Sequence, residues 1–421
     1  MFSLKPTLQI PPRQCPNCHS TLTTKGFLIN GMRNLADLNC PQCNGEFYGD
    51  LPSGQGLFTP ILLNKNSGEV FGGENAKWFA DWLADAYKNK SNEKIGFEIK
   101  KFSAAKSKIV VLNCLDVLYG HSLLKLLNAQ YYLDQKPDFS LIVIIPPFLE
   151  WLLPDGICEA WIIDLPLRRG TEWNDFLADE INKRLENFSE VFLSVAFSHP
   201  HSEDFDIERF SRIAPFSLEN FGNNKDCPVI TFIWREDRLW ESPQISPRFG
   251  NIKRKFGIHE KSNDQTAKVV RFAESLRGEF PQIDFAVAGL GKSGGLPEWI
   301  SDLRLTKLNV KAEKLWCERY AKSQIVVGVH GSNMLLPTAH AGAFIELIGE
   351  DRTGNFLQDI LFRQTDAREM FFRYRFLPLS TAPEIVAQTA ISMLRFEDFR
   401  RLMSPEFAKH REEYEFGQWQ T

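Results

Sequence analysis

The chain has 421 residues, of which 43% are hydrophobic and 24% are charged. This composition is typical of a globular protein and excludes a wholly disordered or fibrous chain. The formal net charge of -4 gives no sign of the clustered positive charge that a nucleic-acid or anionic-membrane surface needs. At roughly 150 residues per domain, the length predicts about two to three domains.

Half of the eight cysteines form two Cys-x-x-Cys pairs near the start of the chain: Cys15, Cys18, Cys40 and Cys43. Two such turns direct four thiolates at one centre, which is typical of a closed tetrahedral zinc site. A closed site has no open coordination position, so we expect a structural zinc ribbon over residues 1–60 and no disulfide framework. The loop between the pairs carries only Lys25 and Arg33 as basic residues, and nucleic-acid binding is therefore not predicted.

No targeting or membrane-spanning segment is evident in the sequence. Residues 1–12 lack the basic start and apolar run of a signal peptide. The most apolar stretch, 141–153, contains two prolines and a glutamate and is shorter than the roughly 20 residues that a spanning helix needs. We therefore expect a cytoplasmic protein that does not span a membrane.

Buried strands alternate with amphipathic helices in two successive regions, 61–215 and 216–384, followed by a helical segment, 385–421. In the first region we predict strands over 108–115, 140–145, 160–164 and 191–197, with helices over 74–89, 121–133 and 172–188. In the second we predict strands over 228–234, 283–288, 325–329 and 344–348, with helices over 264–277, 311–322, 333–341 and, at its end, 385–403. This pattern predicts an α/β protein with two Rossmann-like, doubly wound domains facing a cleft at the carboxyl ends of their strands.

Gly289, Gly291 and Gly294 spell G-x-G-x-x-G after a predicted strand. A dinucleotide site would continue into a clean helix and a second strand ending in an acidic residue, and neither follows. A phosphate-binding P-loop would need glycine at Ala286. Three interpretations stay open: a plain connection, a flexible loop over a ligand, and a NAD or ATP site.

The segment from His330 to Asn333, with Gly331 and Ser332 between them, leads from a buried strand into a helix. Such a turn directs backbone N–H groups and the positive end of the helix dipole at an anion, and glycine lets the backbone approach a ligand closely. The alternative is a capped turn without a ligand.

Arg235 and Arg238 follow the first strand of the same region, where guanidinium groups suit a diphosphate. Otherwise they are surface arginines paired with Glu236 or Asp237. Glu346, at the end of a later strand, is placed to hold sugar or ribose hydroxyls, or else is a solvated strand-end charge.

These residues resemble glycosyltransferase family 61, GT-B-type enzymes with a G-x-H-G-A-x motif and a later strand that ends in glutamate. Residues 328–333 (GVHGSN) and 344–347 (FIEL) match that pattern, with Ser332 in the alanine position. His121, followed by a leucine-rich run, resembles the family's N-terminal histidine, although Lys125 stands where the family has an acidic residue. The family's arginine motif is more widely spaced, so only Arg235 is carried over; the resemblance covers about 108–350.

The resemblance implies a hexosyl- or pentosyltransferase of bacterial-type glycan assembly, with a nucleotide-sugar donor in the C-terminal domain and a glycan or other hydroxyl acceptor in the N-terminal one. It implies inverting transfer in which Arg235 and the 330–333 turn stabilise the leaving diphosphate without a catalytic metal. His121 is the candidate general base and Asp116 the alternative; otherwise His121 is a helix N-terminal histidine with a backbone partner. His199 and His201 either line the acceptor side or form a loop pair without a ligand. Two other classes stay open: a non-enzymatic binding or scaffold protein with a degenerate cleft, and an NAD(P)-dependent oxidoreductase.

Overall fold

The computed structural model describes residues 3–57, 59–201, 203–223, 226–241, 262–363 and 367–395. The chain forms two compact units, a first unit over Met1–Phe210 and a second unit over Ser211–Thr421. Among the described residues, the strands in chain order are β1 Ser3–Pro6, β2 Thr23–Asn30, β3 Arg33–Asn39, β4 Glu46–Asp50, β5 Leu62–Asn64, β6 Val70–Phe71, β7 Phe97–Lys101, β8 Lys108–Asn113, β9 Ser140–Ile145, β10 Glu159–Ile163, β11 Glu190–Leu193, β12 Val229–Trp234, β13 Asp284–Leu290, β14 Ser301–Leu305, β15 Ile325–Val329, β16 Ala343–Ile348 and β17 Tyr374–Pro378.

The helices pack on these strands. In chain order they are α1 Lys77–Lys88, α2 Tyr119–Leu127, α3 Ala129–Gln135, α4 Asp175–Leu185, α5 Ile207–Ser211, α6 Ser262–Glu279, α7 Val310–Tyr320, α8 Leu335–His340, α9 Ala367–Arg373 and α10 Pro383–Arg395. The part of the predicted C-terminal helix beyond Arg395 lies outside the described residues. Within those residues, no helix combines the length and apolar character needed to cross a membrane.

The first unit is built on a six-stranded sheet in the order β1-β11-β8-β9-β10-β7, parallel except for the edge strand β7. All six side chains of β9 are buried, as expected of a strand covered on both faces. The chain adds β9 and β10 on one side of β8 and later adds β11 on the other. The loops that follow β8 and β11 therefore leave the sheet at a topological switch point, where open α/β sheets bind ligands.

One predicted helix of this unit, 121–133, is interrupted. Its two parts, α2 and α3, meet at Asn128, whose Nδ2 donates to the carbonyl oxygens of Leu124, Lys125 and Phe197 at 3.1, 2.9 and 2.8 Å. This amide holds the end of α2 against the loop that follows β11, because it bonds to both at once.

The cysteine pairs belong to a separate antiparallel sheet, in the order β2-β3-β4-β5-β6. This sheet runs on to Phe71, so the predicted ribbon boundary at residue 60 falls inside it. Its buried side chains, with Cys15 and Phe47 among them, share one hydrophobic core with Ile109 and Val111 of β8. A segment this small buries too little apolar surface alone, and the shared core explains why it is continuous with the first unit.

The second unit contains six parallel strands in the order β14-β13-β12-β15-β16-β17. Counted along the chain this is 3-2-1-4-5-6, the Rossmann order, and its switch point lies between β12 and β15. Ile233 pairs with Gly328 across these two strands, so the residues that follow them leave the sheet at the same level. The predicted α/β class with two mainly parallel sheets is confirmed.

Candidate functional site

Arg235 joins the two loops at the switch point of the second unit. Its Nη1 donates to the carbonyl oxygen of His330 at 3.0 Å and to Oδ1 of Asn333 at 2.6 Å. Its Nε and Nη2 donate to the two carboxylate oxygens of Asp237 at 2.8 and 2.5 Å. The sequence left two interpretations of Arg235 open, and the ion pair with Asp237 is present. The same guanidinium group also holds the 330–333 turn.

Arg238 approaches the same turn and donates from Nη1 to the carbonyl oxygen of His330 at 2.5 Å. Burial, followed by the charges of Arg235 and Arg352, lowers the pKa of Arg238. Burial is the larger cause; of the charged neighbours, Arg235 and Arg352 repel the Arg238 cation more than Asp237 and Asp351 attract it. A bound anion would relieve this repulsion, which is the condition that a diphosphate site requires.

Gly331 is required by the close approach of Arg235. Its φ is +149°, and a β-carbon on it would lie 2.1 Å from Nη1 of Arg235. The turn continues as a 3-10 helix, Ser332–Met334, and only then as the six-residue α8. The helical segment predicted over 333–341 is therefore a 3-10 helix followed by a short α-helix, and the arginines rather than a long helix dipole supply the positive charge.

His330 and Glu346 form a buried pair behind this turn, with side-chain exposures of 1% and 0% and Nδ1 2.7 Å from Oε2. Burial is the main cause that raises the pKa of Glu346 well above its usual range and lowers the pKa of His330. Both shifts favour neutral groups, so we assign the carboxyl proton to Oε2, which donates to Nδ1 and leaves Nε2 protonated. Nε2 lies 3.5 Å from a carboxylate oxygen of Asp359.

Three buried polar atoms of this site have no hydrogen-bond partner among the described residues: His330 Nε2, Asn333 Nδ2 and Glu346 Oε1. Buried polar groups are normally paired, so these atoms make the turn a candidate binding site. His330 and Glu346 are both almost fully enclosed, with 1% and 0% of their side chains exposed.

The glycine-rich loop packs against its own unit. A β-carbon at Gly291 would lie 2.2 Å from the Glu236 side chain, and Glu236 accepts the backbone N–H of Ser293 at 2.8 Å. The buried Arg304 donates to the carbonyl oxygens of Ser293 and Gly294 at 2.8 and 2.9 Å. These contacts account for the glycines by close packing, which favours the plain connection among the three interpretations.

The candidate residues of the first unit also meet at a switch point, after β8. Asp116 Oδ1 lies 3.4 Å from His121 Nδ1, and Asp116 Oδ2 lies 2.8 Å from Lys125 Nζ. Burial favours the protonated acid, but Lys125 and His121 outweigh it and lower the pKa of Asp116 below its usual range. The loop after β11 adds His199, whose ring centroid lies 5.6 Å from that of His121. His201 is exposed and outside this group.

The four cysteine sulfur atoms gather within 4.8 Å of one another. Sγ of Cys15 lies 3.6 Å from Sγ of Cys43, and Sγ of Cys18 lies 3.4 Å from Sγ of Cys40. In a tetrahedral site with zinc–sulfur bonds of about 2.3 Å, the sulfur atoms lie about 3.8 Å apart. All four cysteines are free thiols, so the cluster can hold a metal ion such as zinc.

Each cysteine pair is shaped by the same local turn. His19 and Asn44, which follow the second cysteine of each pair, have φ of 61° and 57°, and each donates its backbone N–H to the carbonyl of the first cysteine at 2.9 Å. This repeated geometry explains why two sequence-distant pairs present their thiolates alike.

Two residues of these sites were not predicted from the sequence. Asp359 follows a 3-10 segment with no strand or motif to mark it, and only the fold places it beside His330. Lys125 was noticed as a departure from the family pattern, but its contact with Asp116 was not foreseen. Its i+9 spacing from Asp116 across a strand end and a helix start is not a recognisable motif.

No protein-family model and no curated protein matches the chain. Similar solved structures include Escherichia coli ADP-heptose lipopolysaccharide heptosyltransferase II, with 12% identity, coverage of 69% of this chain and 99% of that one, and a TM-score of 0.39. A family 9 glycosyltransferase from Veillonella parvula is 9% identical, with coverage of 70% of this chain and 99% of that one and a TM-score of 0.41. A proposed UDP-N-acetylglucosamine 2-epimerase from Listeria monocytogenes is 12% identical, with coverage of 74% of this chain and 97% of that one and a TM-score of 0.40. Likenesses this low assign no activity, and membership of glycosyltransferase family 61 stays a prediction.

Proposed function

We propose that the chain is a glycosyltransferase that binds a nucleotide-sugar donor through the second unit. The observation that carries the proposal is the turn of His330 and Asn333, fastened to Arg235 at the Rossmann switch point. Residues of a sequence motif that resembles one glycosyltransferase family thus meet where this fold class binds nucleotides. Unpaired buried polar atoms in the same place support a ligand there.

In this proposal the diphosphate of the donor lies against Arg235 and Arg238. Charge grows on the diphosphate as its bond to the anomeric carbon breaks, and fixed guanidinium groups stabilise that charge most strongly at the transition state. Nε2–H of His330 donates a further hydrogen bond to the donor. Ser332 and Asn333 complete the contact, with Gly331 leaving room for Arg235, and Glu346 holds His330 in the required tautomer.

The first unit is proposed to bind the glycan or other hydroxyl acceptor. His121 is the general base: it takes the hydroxyl proton while the oxygen bonds to the anomeric carbon and the diphosphate leaves. This is inverting transfer without a catalytic metal. Asp116, the alternative base, is buried, and the lowered pKa of its carboxylate makes it a weak proton acceptor. It orients His121 instead.

Donor binding is tested by thermal unfolding with a panel of nucleotide sugars, with NAD(P) as a further arm. A donor at about 100 times its Kd should stabilise the wild-type protein by about 2.7 kcal/mol. Arg235→Ala and His330→Ala should abolish that shift. Arg271→Ala is the matched control, because Arg271 is an exposed arginine of the same unit that pairs with Glu384.

Donor binding that is unchanged in both Arg235→Ala and His330→Ala would refute the site. Stabilisation by NAD(P) instead of nucleotide sugars would favour an oxidoreductase. Donor binding without transfer to any acceptor would favour a binding protein with a degenerate cleft.

We further propose that the cysteine cluster holds a structural zinc ion. All four donors are thiolates, and Cys15 and Cys40 are buried in the shared core of the first unit, so metal loss should destabilise that unit. Metal analysis of the purified protein should find one zinc per chain, and Cys40→Ser should lose it and lower the unfolding temperature. Cys227→Ser, at a lone partly exposed cysteine, should change neither. A zinc content unaffected by Cys40→Ser would refute the assignment.

A further inference from the structure

Lys125 is a buried cation at the switch point of the first unit for which the proposed reaction has no role so far. It is 2% exposed. Its Nζ lies 2.8 Å from Asp116 Oδ2 and donates to the carbonyl oxygen of Leu115 at 2.9 Å. Burying an ammonium group is costly unless its partners are fixed, so this arrangement needs an explanation.

The partner carboxylate is held in one orientation. Asp116 Oδ1 accepts the backbone N–H of Val117 at 2.8 Å and of Leu118 at 3.3 Å, while Oδ2 faces Lys125. Oδ1 is the atom directed at His121 Nδ1, 3.4 Å away. Lys125 therefore binds the side of the carboxylate that faces away from the imidazole.

The lysine is also confined by the loop that follows β4. Gly54 has φ of +54°, and a β-carbon on it would lie 2.9 Å from Lys125 Cε. The backbone N–H of Gly54 donates to the carbonyl oxygen of Ala196 at 3.0 Å. Gly54 of the loop after β4 thus packs closely against the Lys125 side chain and is itself bonded to the loop after β11.

We propose that Lys125 is a positioning residue that keeps Asp116 ionised and directed at His121, so that Nδ1 of His121 carries the proton and Nε2 is the acceptor. This rests on the proposed function, in which His121 is the general base. Among the described residues, the charged and titratable groups near His121 include Asp116 and His199, with Lys125 on the far side of Asp116. Lys125, which stands where the resembled family has an acidic residue, would then act on the general base His121 through Asp116.

The test compares Lys125→Met, Asp116→Asn and their double variant, with Lys136→Met as the control at an exposed position. If Lys125 acts through Asp116, each variant should lower kcat by the same factor, about 10–100-fold, with the KM for the donor unchanged. In Lys125→Met the acidic limb of the pH–rate profile should also move to higher pH, because a buried carboxylate without its cation holds its proton.

The double variant separates positioning from a purely structural role. A neutral buried pair should restore the unfolding midpoint that either single variant lowers, but kcat should stay low. Recovery of kcat together with stability would overturn the proposal, as would a Lys125→Met pH profile identical to that of the wild type.

A second readout does not need activity. Nitrogen-15 NMR of labelled histidines, with His121 assigned by a His121→Gln variant, reports which ring nitrogen carries the proton. We expect a larger Nδ1–H fraction in the wild type than in the double variant, because an amide oxygen at position 116 accepts Nδ1–H more weakly than an ionised carboxylate does. The same Nδ1–H fraction in both would refute the positioning role even if glycosyl transfer is observed. The expected change would support that role even if glycosyl transfer is not found.

Discussion

The two switch points each hold a histidine beside a buried carboxyl group, but they differ in which group of the pair carries the shared proton. At the first we assign it to the histidine Nδ1, and at the second to the carboxyl group. At the first, burial favours the protonated acid, but Lys125 and His121 outweigh it and lower the pKa of Asp116, which favours the ionised carboxylate. At the second, no arginine or lysine among the described residues forms an ion pair with Glu346, and burial raises its pKa well above the usual range, which favours the protonated acid. An ionised carboxylate accepts Nδ1–H and leaves Nε2 as an acceptor, whereas a neutral acid donates to Nδ1 and leaves Nε2 as a donor.

This difference matches the chemistry proposed for each unit. An acceptor hydroxyl must give up a proton, which requires an unprotonated Nε2 at His121. An anionic donor needs hydrogen-bond donors, which the protonated Nε2 of His330 and the arginines supply. The same fold position thus serves opposite purposes, and the immediate partner of the carboxyl group decides which one.

The largest expected effect concerns the stability of the two carboxyl sites. Asp116→Asn leaves Lys125 buried without a counter-ion, and loss of one partner of a buried pair costs about 3–5 kcal/mol. Glu346→Gln replaces a neutral acid by a neutral amide that can still donate to Nδ1 of His330. Near pH 4, where a glutamate is also largely protonated in the unfolded chain, it should therefore change stability by less than about 1 kcal/mol. Urea unfolding of both variants at pH 4 measures the difference.

Equal losses in the two variants would break the comparison, because they would mean that Glu346 is ionised and that His330 is its counter-ion. Glu241→Gln, at a partly exposed acid, serves as the control and should unfold at the same urea concentration as the wild type.

A smaller effect is expected from Gly331→Ala, which tests whether the second site depends on Arg235. The added methyl group would lie 2.1 Å from Nη1 of Arg235, so the guanidinium must leave the turn. We expect donor affinity to fall by about tenfold to a hundredfold, the effect of losing a charged hydrogen bond. Gly295→Ala is the matched control, since nothing lies within 4 Å of its added carbon. Equal donor affinity in both variants would remove Arg235 from the site.

Continuous apolar runs made the central strands predictable. Strands 140–145 and 325–329 have the predicted bounds, because every side chain in them is buried. Edge strands carry no such signal: β14 alternates exposed Asp302 with buried Arg304 and was missed, as were β7, β17 and the antiparallel sheet around the cysteines. Their pairing depends on a neighbouring strand rather than on their own composition.

The candidate sites were predictable as sets of strand ends but not as contacts. Arg235 and His330 are 95 residues apart in sequence, and the rule that parallel strands end at one edge was sufficient to group them. That Glu346 faces His330 rather than solvent, and that Lys125 faces Asp116, depends on side-chain packing, which no local pattern reports.

The smallest expected effect is a difference in the sign of the pH dependence. Asp116 has a lowered pKa in the folded state, so its stabilisation is present above the unfolded value of about 3.9 and is lost as pH falls. Glu346 has a raised pKa, so its contribution is present below the unfolded value of about 4.3 and is lost as pH rises. Each unit of pKa difference corresponds to about 1.4 kcal/mol.

The two variants should therefore diverge from the wild type in opposite directions when unfolding is measured from pH 3 to pH 7. The deficit of Asp116→Asn should shrink as pH falls below about 4, because Asp116 of the unfolded wild-type chain then takes up a proton while the folded carboxylate stays ionised. The free energy of unfolding of Glu346→Gln should increase relative to that of the wild type as pH rises. The variant lacks a carboxyl group that must either stay protonated or ionise in a buried position. Slopes of the same sign would show that both carboxyl groups are ionised, and the opposite proton placement at the two switch points would be wrong.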